Sequence, residues 1–355
     1  SAEDDNTNHG EDISASKPRS TASEVYDQVI ADLSYAEANL PATVALAEQG
    51  RATSGAAKGL LAKTYLYQEN WAAAKLKCEE LMNSGNYSLV PNYADVFSSG
   101  QQWGSEVIWS INMVEDLDGH WGEHEGSWLS IWFGDRDMGW GYGFKCPTED
   151  FIQAFEPTDT RLEASVVFDG EMIPGTFGGA PHDFTGGSWN PPTGYMSQKY
   201  LIPDNERPIT ADCNGNLDYI FMRYADLLLI HAEASMEIGD EDAAKSSLAL
   251  IRQRAGLSAY PDAATISSYK ETYLLNHEEL RAVVYHERRV ELGLEHDRFY
   301  DLVRWGDAST VFQNFDHLGL TFGKTNFVEN CSELLPIPYY DIQSSNGLIE
   351  QNPCY

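Results

Sequence analysis

The sequence has little positive charge. Its 355 residues include 23 lysines and arginines against 55 aspartates and glutamates, which gives a formal net charge of −32. A surface of this sign repels phosphate backbones and anionic lipids, so we do not expect its bulk to bind nucleic acid. Long hydrophobic runs are also missing, because no stretch approaches the ~18 consecutive apolar residues of a transmembrane helix. Hydrophobic residues still make up 42% of the chain, which predicts a globular fold with a buried core.

Cysteine is scarce and irregularly spaced, and the set has neither the spacing of zinc ligands nor a C-x-x-C pair. The five residues are Cys78, Cys146, Cys213, Cys331 and Cys354. They neither demand nor exclude a disulfide. Hydrolase motifs are missing too, since the chain has no G-x-S-x-G and no H-E-x-x-H. The chain begins at Ser1 without an apolar signal segment or an early cysteine for lipid attachment, so we expect a processed or truncated front end.

Both ends of the chain show helical periodicity. Residues 54–68 and 71–83 predict a hairpin of the tetratricopeptide type, in which Ala62 and Ala74 let the two helices approach closely. A second, weaker hairpin of this kind is predicted at residues 221–254. A first helix is predicted to begin at a Thr21–Glu24 capping box and to end at Pro41. Further helical stretches are predicted at 266–296 and 298–305.

The predicted fold is mainly α, with helical hairpins as a scaffold and an irregular Trp- and Gly-rich insert that contains short strands. Alternation of polar and apolar residues places one strand at 106–113. The predicted segments are a flexible acidic lead-in (1–20), a helical tetratricopeptide-like region (21–97), the insert (98–220), a second helical region (221–310) and an irregular C-terminal segment packed on the scaffold (311–355).

The insert carries the candidate binding residues. A pyranose ring presents an apolar C–H face that stacks on an indole, while its hydroxyls stay free for polar side chains to bind. A long irregular insert rich in tryptophan therefore indicates a sugar-binding surface. The candidate aromatic residues are Trp103, Trp121, Trp128, Trp132, Trp140, Trp189 and Tyr142, and their polar companions are Asn112, Asp135, Arg136 and Asp137.

One acidic loop raises the question of a metal. Residues 115–125 contain two histidines four positions apart among carboxylates, but their glycines argue against the helix that would bring both imidazoles to one face. Calcium could bind through Asp116 and Asp118, although the loop lacks the rest of an EF-hand pattern. We expect a solvated acidic loop and predict no cofactor.

Several spaced motifs resemble those of the SusD/RagB family. They are RYADLLLIHAEA at residues 223–234, IRQRAGL at 251–257, HERRVELGLEHDRFYDLVRWG at 286–306 and LLPIPYYDIQSSNGLIEQNPCY at 334–355. The resemblance spans residues 18–355 and is weakest in the insert. His296 and Cys354 stand where the family has glycine, and the family's secretion signal, anchor cysteine and first helical segment are not present.

The resemblance implies a non-catalytic role. Proteins of this family are outer-membrane lipoproteins at the cell surface of Bacteroidetes-type bacteria. They capture glycans, or in some members peptides, and deliver them to a SusC-like TonB-dependent transporter; contact with the membrane is through an N-terminal lipid anchor. The alternatives are a peptide-binding subunit, a glycoside hydrolase that uses carboxylates of the insert, and a scaffold that binds only protein partners.

The charged motif after residue 286 has two interpretations. Glu287, Glu291 and Glu295 share one helix face and would repel one another unless cations lie beside them. A catalytic interpretation needs two carboxylates that face one cleft. We predict instead a structural ion-pair network, for which the available arginines are Arg288, Arg298 and Arg304.

Overall fold

The structure is a computed structural model that describes residues 18–114, 126–134, 142–173, 182–183, 193–201, 215–272, 277–314 and 327–355. Helices dominate these ranges, which confirms the predicted mainly α fold. None of these helices has both the length and the apolar character that crossing a membrane requires. The helices are α1 (Ala22–Asn39), α2 (Ser54–Tyr67), α3 (Trp71–Met82), α4 (Leu129–Phe133), α5 (Glu149–Ile152), α6 (Arg161–Ser165), α7 (Tyr224–Glu237), α8 (Glu241–Arg254), α9 (Ala263–Thr272), α10 (Glu279–Leu292), α11 (Arg298–Trp305), α12 (Ala308–Asn314) and α13 (Tyr339–Ser344).

Helix α1 begins at the predicted capping box. The Thr21 hydroxyl accepts from the Glu24 backbone N–H at 3.2 Å, and the Glu24 carboxylate accepts from the Thr21 backbone N–H at 2.8 Å. The two bonds satisfy donors that an open helix end would leave unpaired. The helix ends at Asn39, and the extended backbone of its C-cap residue, Leu40, leads into Pro41.

Two helical hairpins form the centre of the scaffold. In the first, Ala62 of α2 and Ala74 of α3 are fully buried, as the small residues of a closely packed helix pair should be. In the second, Ala232 of α7 and Ala244 of α8 are also fully buried. Helices α3 and α7 pack against each other, so the two hairpins share one hydrophobic core.

The predicted 266–296 stretch consists of two helices, α9 and α10, rather than one. Helix α10 starts anew because Glu278 has an extended backbone conformation (φ −61°, ψ 155°) and acts as its N-cap. The following α11 spans Arg298–Trp305, which matches the predicted 298–305.

The strands are short and pair antiparallel. β1 and β6 pair through partners such as Val107 with Arg223, and β6 runs directly into α7. This pair therefore joins the irregular insert to the helical scaffold, and β1 lies inside the predicted 106–113. The described strands are β1 (Val107–Ile111), β2 (Val166–Phe168), β3 (Met172–Ile173), β4 (His182–Asp183), β5 (Tyr195–Ser197) and β6 (Tyr219–Arg223), paired β1–β6, β2–β5 and β3–β4; the short 3-10 helices are Leu46–Glu48, Tyr93–Phe97 and Ser99–Gln101.

A disulfide between Cys331 and Cys354 closes the C-terminal segment, with the two Cα atoms 5.7 Å apart. Sequence spacing alone left this pairing open. Cys354 has φ +72°, a left-handed backbone that favours glycine, so the conformation suits the glycine expected at this position while the side chain supplies the bridge.

Removing this disulfide should loosen the C-terminal segment. A loop of this size, with the cysteines 23 positions apart, predicts a local loss of about 3 kcal/mol in the Cys331→Ser, Cys354→Ser double variant. Hydrogen exchange of the Ile349 amide, which donates to the Ser345 hydroxyl, measures the effect. Exchange as slow as in a Cys146→Ser control would contradict it.

Candidate functional site

The charged face of α10 is buried. Glu287 and Glu291 have no exposed surface, and Glu295 just beyond the helix is only 6% exposed. Carboxylates removed from water in this way remain ionised only when cations and hydrogen bonds surround them. They reach neither solvent nor a substrate, so these three residues form no catalytic cleft.

The cations that surround these carboxylates come from distant parts of the chain. Arg223 at the end of β6 donates to Glu291 at 2.6 Å and to Glu295 at 2.8 Å. Arg161 of α6 donates to Glu287 at 2.9 Å and to Glu291 at 3.1 Å. The predicted ion-pair network is therefore present. We call it the α10 network; its members are Glu106, Asp159, Arg161, Lys199, Arg223, Arg252, Arg254, Glu287, Glu291 and Glu295.

The predicted partners Arg288 and Arg304 bind elsewhere. Arg288 donates to Asp226 at 3.1 Å and to Asp301 at 3.0 Å, and Arg304 binds Asp301 and Glu233. Sequence spacing suggested them because they lie in the same motif. The helix directs Arg288 away from the glutamate face, so the balancing charges had to come from other elements.

The buried charges shift the pKa values of the network. Burial alone would raise the pKa of Glu295, but the Arg223 and Lys199 charges outweigh it and lower that pKa to about 2. Burial likewise acts to raise the pKa of Glu291, and Arg254, Arg223 and Arg161 together hold it well below its usual range. Both carboxylates are therefore ionised at neutral pH.

A cluster of possible metal ligands lies beside this network and shares Glu287 with it. Ligand atoms of Glu156, His286 and Glu287 lie within 4.8 Å of one another. Arg252 already binds both carboxylates, and Arg161 binds the second oxygen of Glu287. A metal ion would have to displace these guanidinium groups, so the donor set fits a structural ion-pair cluster and not a metal centre.

Neutralising Glu291 should destabilise the protein strongly. In Glu291→Gln, three buried arginines lose a shared negative partner, which predicts a loss of about 3 kcal/mol or more in the free energy of unfolding at pH 7. Urea denaturation measures it, with the exposed Glu163→Gln of α6 as the matched control. Equal stability of the two variants would contradict the role of the network.

Lys199 should make the protein gain stability in alkali. Burial and, to a smaller extent, the Arg223 charge outweigh the opposing charge of Glu295 and lower the pKa of its ammonium to about 8. Between that value and the ordinary 10.5, the unfolded chain binds more protons than the folded one, so the unfolding free energy rises with pH by up to about 3 kcal/mol.

The variant Lys199→Met lacks this gain. The unfolding free energy of the wild type minus that of the variant, measured by urea denaturation, should therefore increase from pH 7.5 to pH 10. Lys58→Met, on the partly exposed side of α2, is the control and should follow the wild type. A difference that does not change with pH would contradict the lowered pKa.

An exposed aromatic surface lies around α4. The rings of Trp128 and Trp132 have centroids 6.5 Å apart, and those of Tyr142 and Phe144 stack at 5.9 Å. Trp132, Tyr142 and Phe144 are exposed by 44%, 38% and 52%. We call these four residues the α4 platform. It unites Trp128, Trp132 and Tyr142, which the sequence predicted, with Phe144, which it missed.

Backbone hydrogen bonds hold the platform in shape. The N–H groups of Tyr142 and Phe144 donate to the carbonyls of Ile131 and Trp132 at 2.9 and 2.8 Å. Below them, Leu129 and Phe133 are buried in a separate hydrophobic cluster. The rings therefore lie on two backbone segments that hydrogen bonds hold side by side. The alternation of Tyr142, glycine and Phe144 was the sequence signal that could have identified Phe144.

Trp103 and Asn112, which were each predicted as site residues, are in contact. The Trp103 indole N–H donates to the Asn112 side-chain oxygen at 2.9 Å, and 41% of Trp103 is exposed. Trp109 of β1 is half-buried, with its ring 5.0 Å from that of Phe221. Trp305 stacks on Tyr285 at 3.6 Å as a packing residue.

The other predicted site residues lie outside the described residues. They are Trp121, Trp140, Trp189, Asp135, Arg136 and Asp137, together with the acidic loop at 115–125 that contains Asp116 and Asp118. Their part in binding stays a prediction.

The fold and these surfaces define a class of protein, a mainly helical scaffold that carries an aromatic insert. The profile of the SusD family matches residues 105–355, and a profile described as "Starch-binding associating with outer membrane" matches residues 2–66. The chain belongs to the SusD family, as the resemblance of its motifs indicated.

Individual relatives agree with this assignment. SusD-like protein P25 of Formosa agariphila is 30% identical over 350 residues, which cover 92% of this chain and 63% of the relative. A SusD-like protein of Bacteroides fragilis superposes with a TM-score of 0.77 at 25% identity, covering 95% of this chain and 72% of that one. A structure described as a laminarin binding SusD-like protein gives 0.72 at 27% identity, covering 94% and 69%. The chain spans about two thirds of the length of these proteins.

Proposed function

We propose that this protein captures glycan chains on the α4 platform without turnover. The observation that carries the proposal is the exposure of Trp132, Tyr142 and Phe144 on two backbone segments that hydrogen bonds hold side by side. Exposed aromatic groups in a cluster mark binding surfaces in soluble proteins. A laminarin binding relative, 27% identical, supports a glycan as the ligand.

Stacking explains how the platform would hold a sugar chain. An aromatic ring covers the apolar face of a pyranose and releases water, while the hydroxyls at the edge keep their hydrogen bonds. Aromatic side chains with few torsions lose little entropy when they order. The two ring pairs of the platform would hold neighbouring sugar units, so a chain would bind more tightly than a single sugar.

The protein would act as one subunit of an uptake system. We propose that it works at the outer membrane and delivers its glycan to a SusC-like TonB-dependent transporter. Membership of the SusD family supports this role, and so does the profile for association with the outer membrane. The same delivery role would apply to a peptide, which is the alternative ligand.

Replacing Trp132 should weaken glycan binding. The variant Trp132→Ala removes the most exposed indole of the platform, so affinity should fall about tenfold or more. Affinity electrophoresis against a panel of soluble polysaccharides that includes laminarin measures the loss. Tyr35→Ala is the matched control, because it removes an aromatic ring of α1 that is 72% exposed.

The same assay separates the alternatives. Retardation that is lost in Trp132→Ala but kept in Tyr35→Ala, with no sugar released, supports capture on the platform. Release of shorter sugars would identify a glycoside hydrolase. Retardation by no polysaccharide would overturn the proposal and favour a peptide or protein ligand.

A further inference from the structure

A small cavity lies beside β1, where the loop after α1 meets the start of α2. Its volume is about 180 Å³. Three aromatic residues line it, Tyr87, Trp103 and Trp109, and none of the α4 platform residues does. We call it the Trp103 cavity.

Trp103 is held rigidly in this cavity. Its backbone has φ +56°, a left-handed conformation that is unfavourable for a residue with a bulky side chain and that recurs at functional sites. The Asn112 side chain binds its indole N–H. Asn112 fits only because Gly50 has no side chain, since a Cβ at Gly50 would lie 1.3 Å from the Asn112 Nδ2.

Tyr87 is fixed in a similar way. A Cβ at Gly55 would lie 2.3 Å from the Tyr87 hydroxyl, so the phenol approaches the first turn of α2 closely. The hydroxyl lies 3.4 Å from Thr53 Oγ1. Two glycines thus make room for the groups that position two aromatic rings. This is how a pre-organised binding site is built, because little freedom is left to lose on binding.

The rest of the lining mixes apolar side chains with uncharged polar ones and one arginine; the apolar residues are Ala42, Val44, Val107 and Ile108. Thr43, Gln49 and Asn86 offer hydroxyl and amide groups. Arg51 is paired with Glu48 at 2.7 Å, so it adds no uncompensated positive charge. A neutral ligand that has both an apolar face and several hydroxyls matches this mixed lining.

We propose that the Trp103 cavity binds one neutral pyranose ring and forms a sugar subsite distinct from the α4 platform. The cavity is smaller than pockets for drug-sized ligands, so we expect it to hold one ring of a bound sugar. Because Asn112 already occupies the indole N–H, Trp103 contributes stacking while the polar lining binds hydroxyls. The inference rests on the proposed glycan function and adds a second contact to it.

The test uses simple glycosides as probes. The nine tryptophan indole N–H signals are observed by nitrogen-15 NMR, and the Trp103 signal is assigned through Trp103→Phe. Methyl glycosides of glucose, galactose, mannose and xylose are titrated. We expect at least one of them to shift the Trp103 and Trp109 signals saturably, in the wild type and equally in Trp132→Ala.

Two glycine variants test the geometry of the cavity. Gly50→Ala displaces Asn112 and should weaken glycoside binding about tenfold or more. Gly239→Ala is the matched control, because it has the same left-handed backbone (φ +81°) but open space around it and no place in the cavity. It should leave binding unchanged. Equal binding by the two variants would overturn the proposed role of the cavity.

The outcomes separate this inference from the proposed function. If no glycoside shifts the Trp103 signal while polysaccharide binding still depends on Trp132, the cavity is not a sugar subsite and the platform stands. If glycosides shift the signal but Trp132→Ala keeps full polysaccharide binding, the cavity stands and the platform does not. If neither sugar form binds, both proposals fall.

Discussion

The buried α10 network is the constraint on which the other parts of this structure depend. Each of its ions would cost several kcal/mol to remove from water alone, so the folded state requires all of them to be paired at once. Glu106 comes from just before β1, Arg223 from the end of β6 and Arg254 from the end of α8. Assembly of the network therefore fixes the insert, through both of its connections, to the helical scaffold.

Both aromatic surfaces depend on these fixed connections. Glu106 lies immediately before the strand that carries Trp109 and leads to Asn112, so the Trp103 cavity is positioned by a member of the network. The α4 platform follows a bridge in which Ser127 and Gly215 exchange backbone hydrogen bonds of 2.7 and 3.2 Å. Gly215 lies just before β6, the strand that ends in Arg223. Irregular backbone that is held at such points can present rigid rings without a regular sheet.

Sequence reasoning succeeded where the signal was local. The Thr21–Glu24 capping box and the small residues Ala62 and Ala74 are determined by neighbours within one or two helices. It failed for the partners of Glu291, because Arg161 is 130 residues away and only the tertiary fold brings the two together. Phe144 was missed although its alternation with Tyr142 is visible in the sequence, because its exposure depends on a backbone pairing with Trp132 that the sequence alone does not show.

The burial of charged residues also bears on how the net charge affects ligand binding. Among the described residues, five lysines and arginines and ten aspartates and glutamates are buried, so the buried groups carry only about −5 of the net charge of −32. Most of the excess negative charge therefore lies outside this buried set. An acidic surface repels anions and offers no electrostatic attraction to a neutral chain. The proposed capture of a neutral glycan would then depend on aromatic stacking and hydroxyl contacts, which are the interactions that we propose for the platform and the Trp103 cavity.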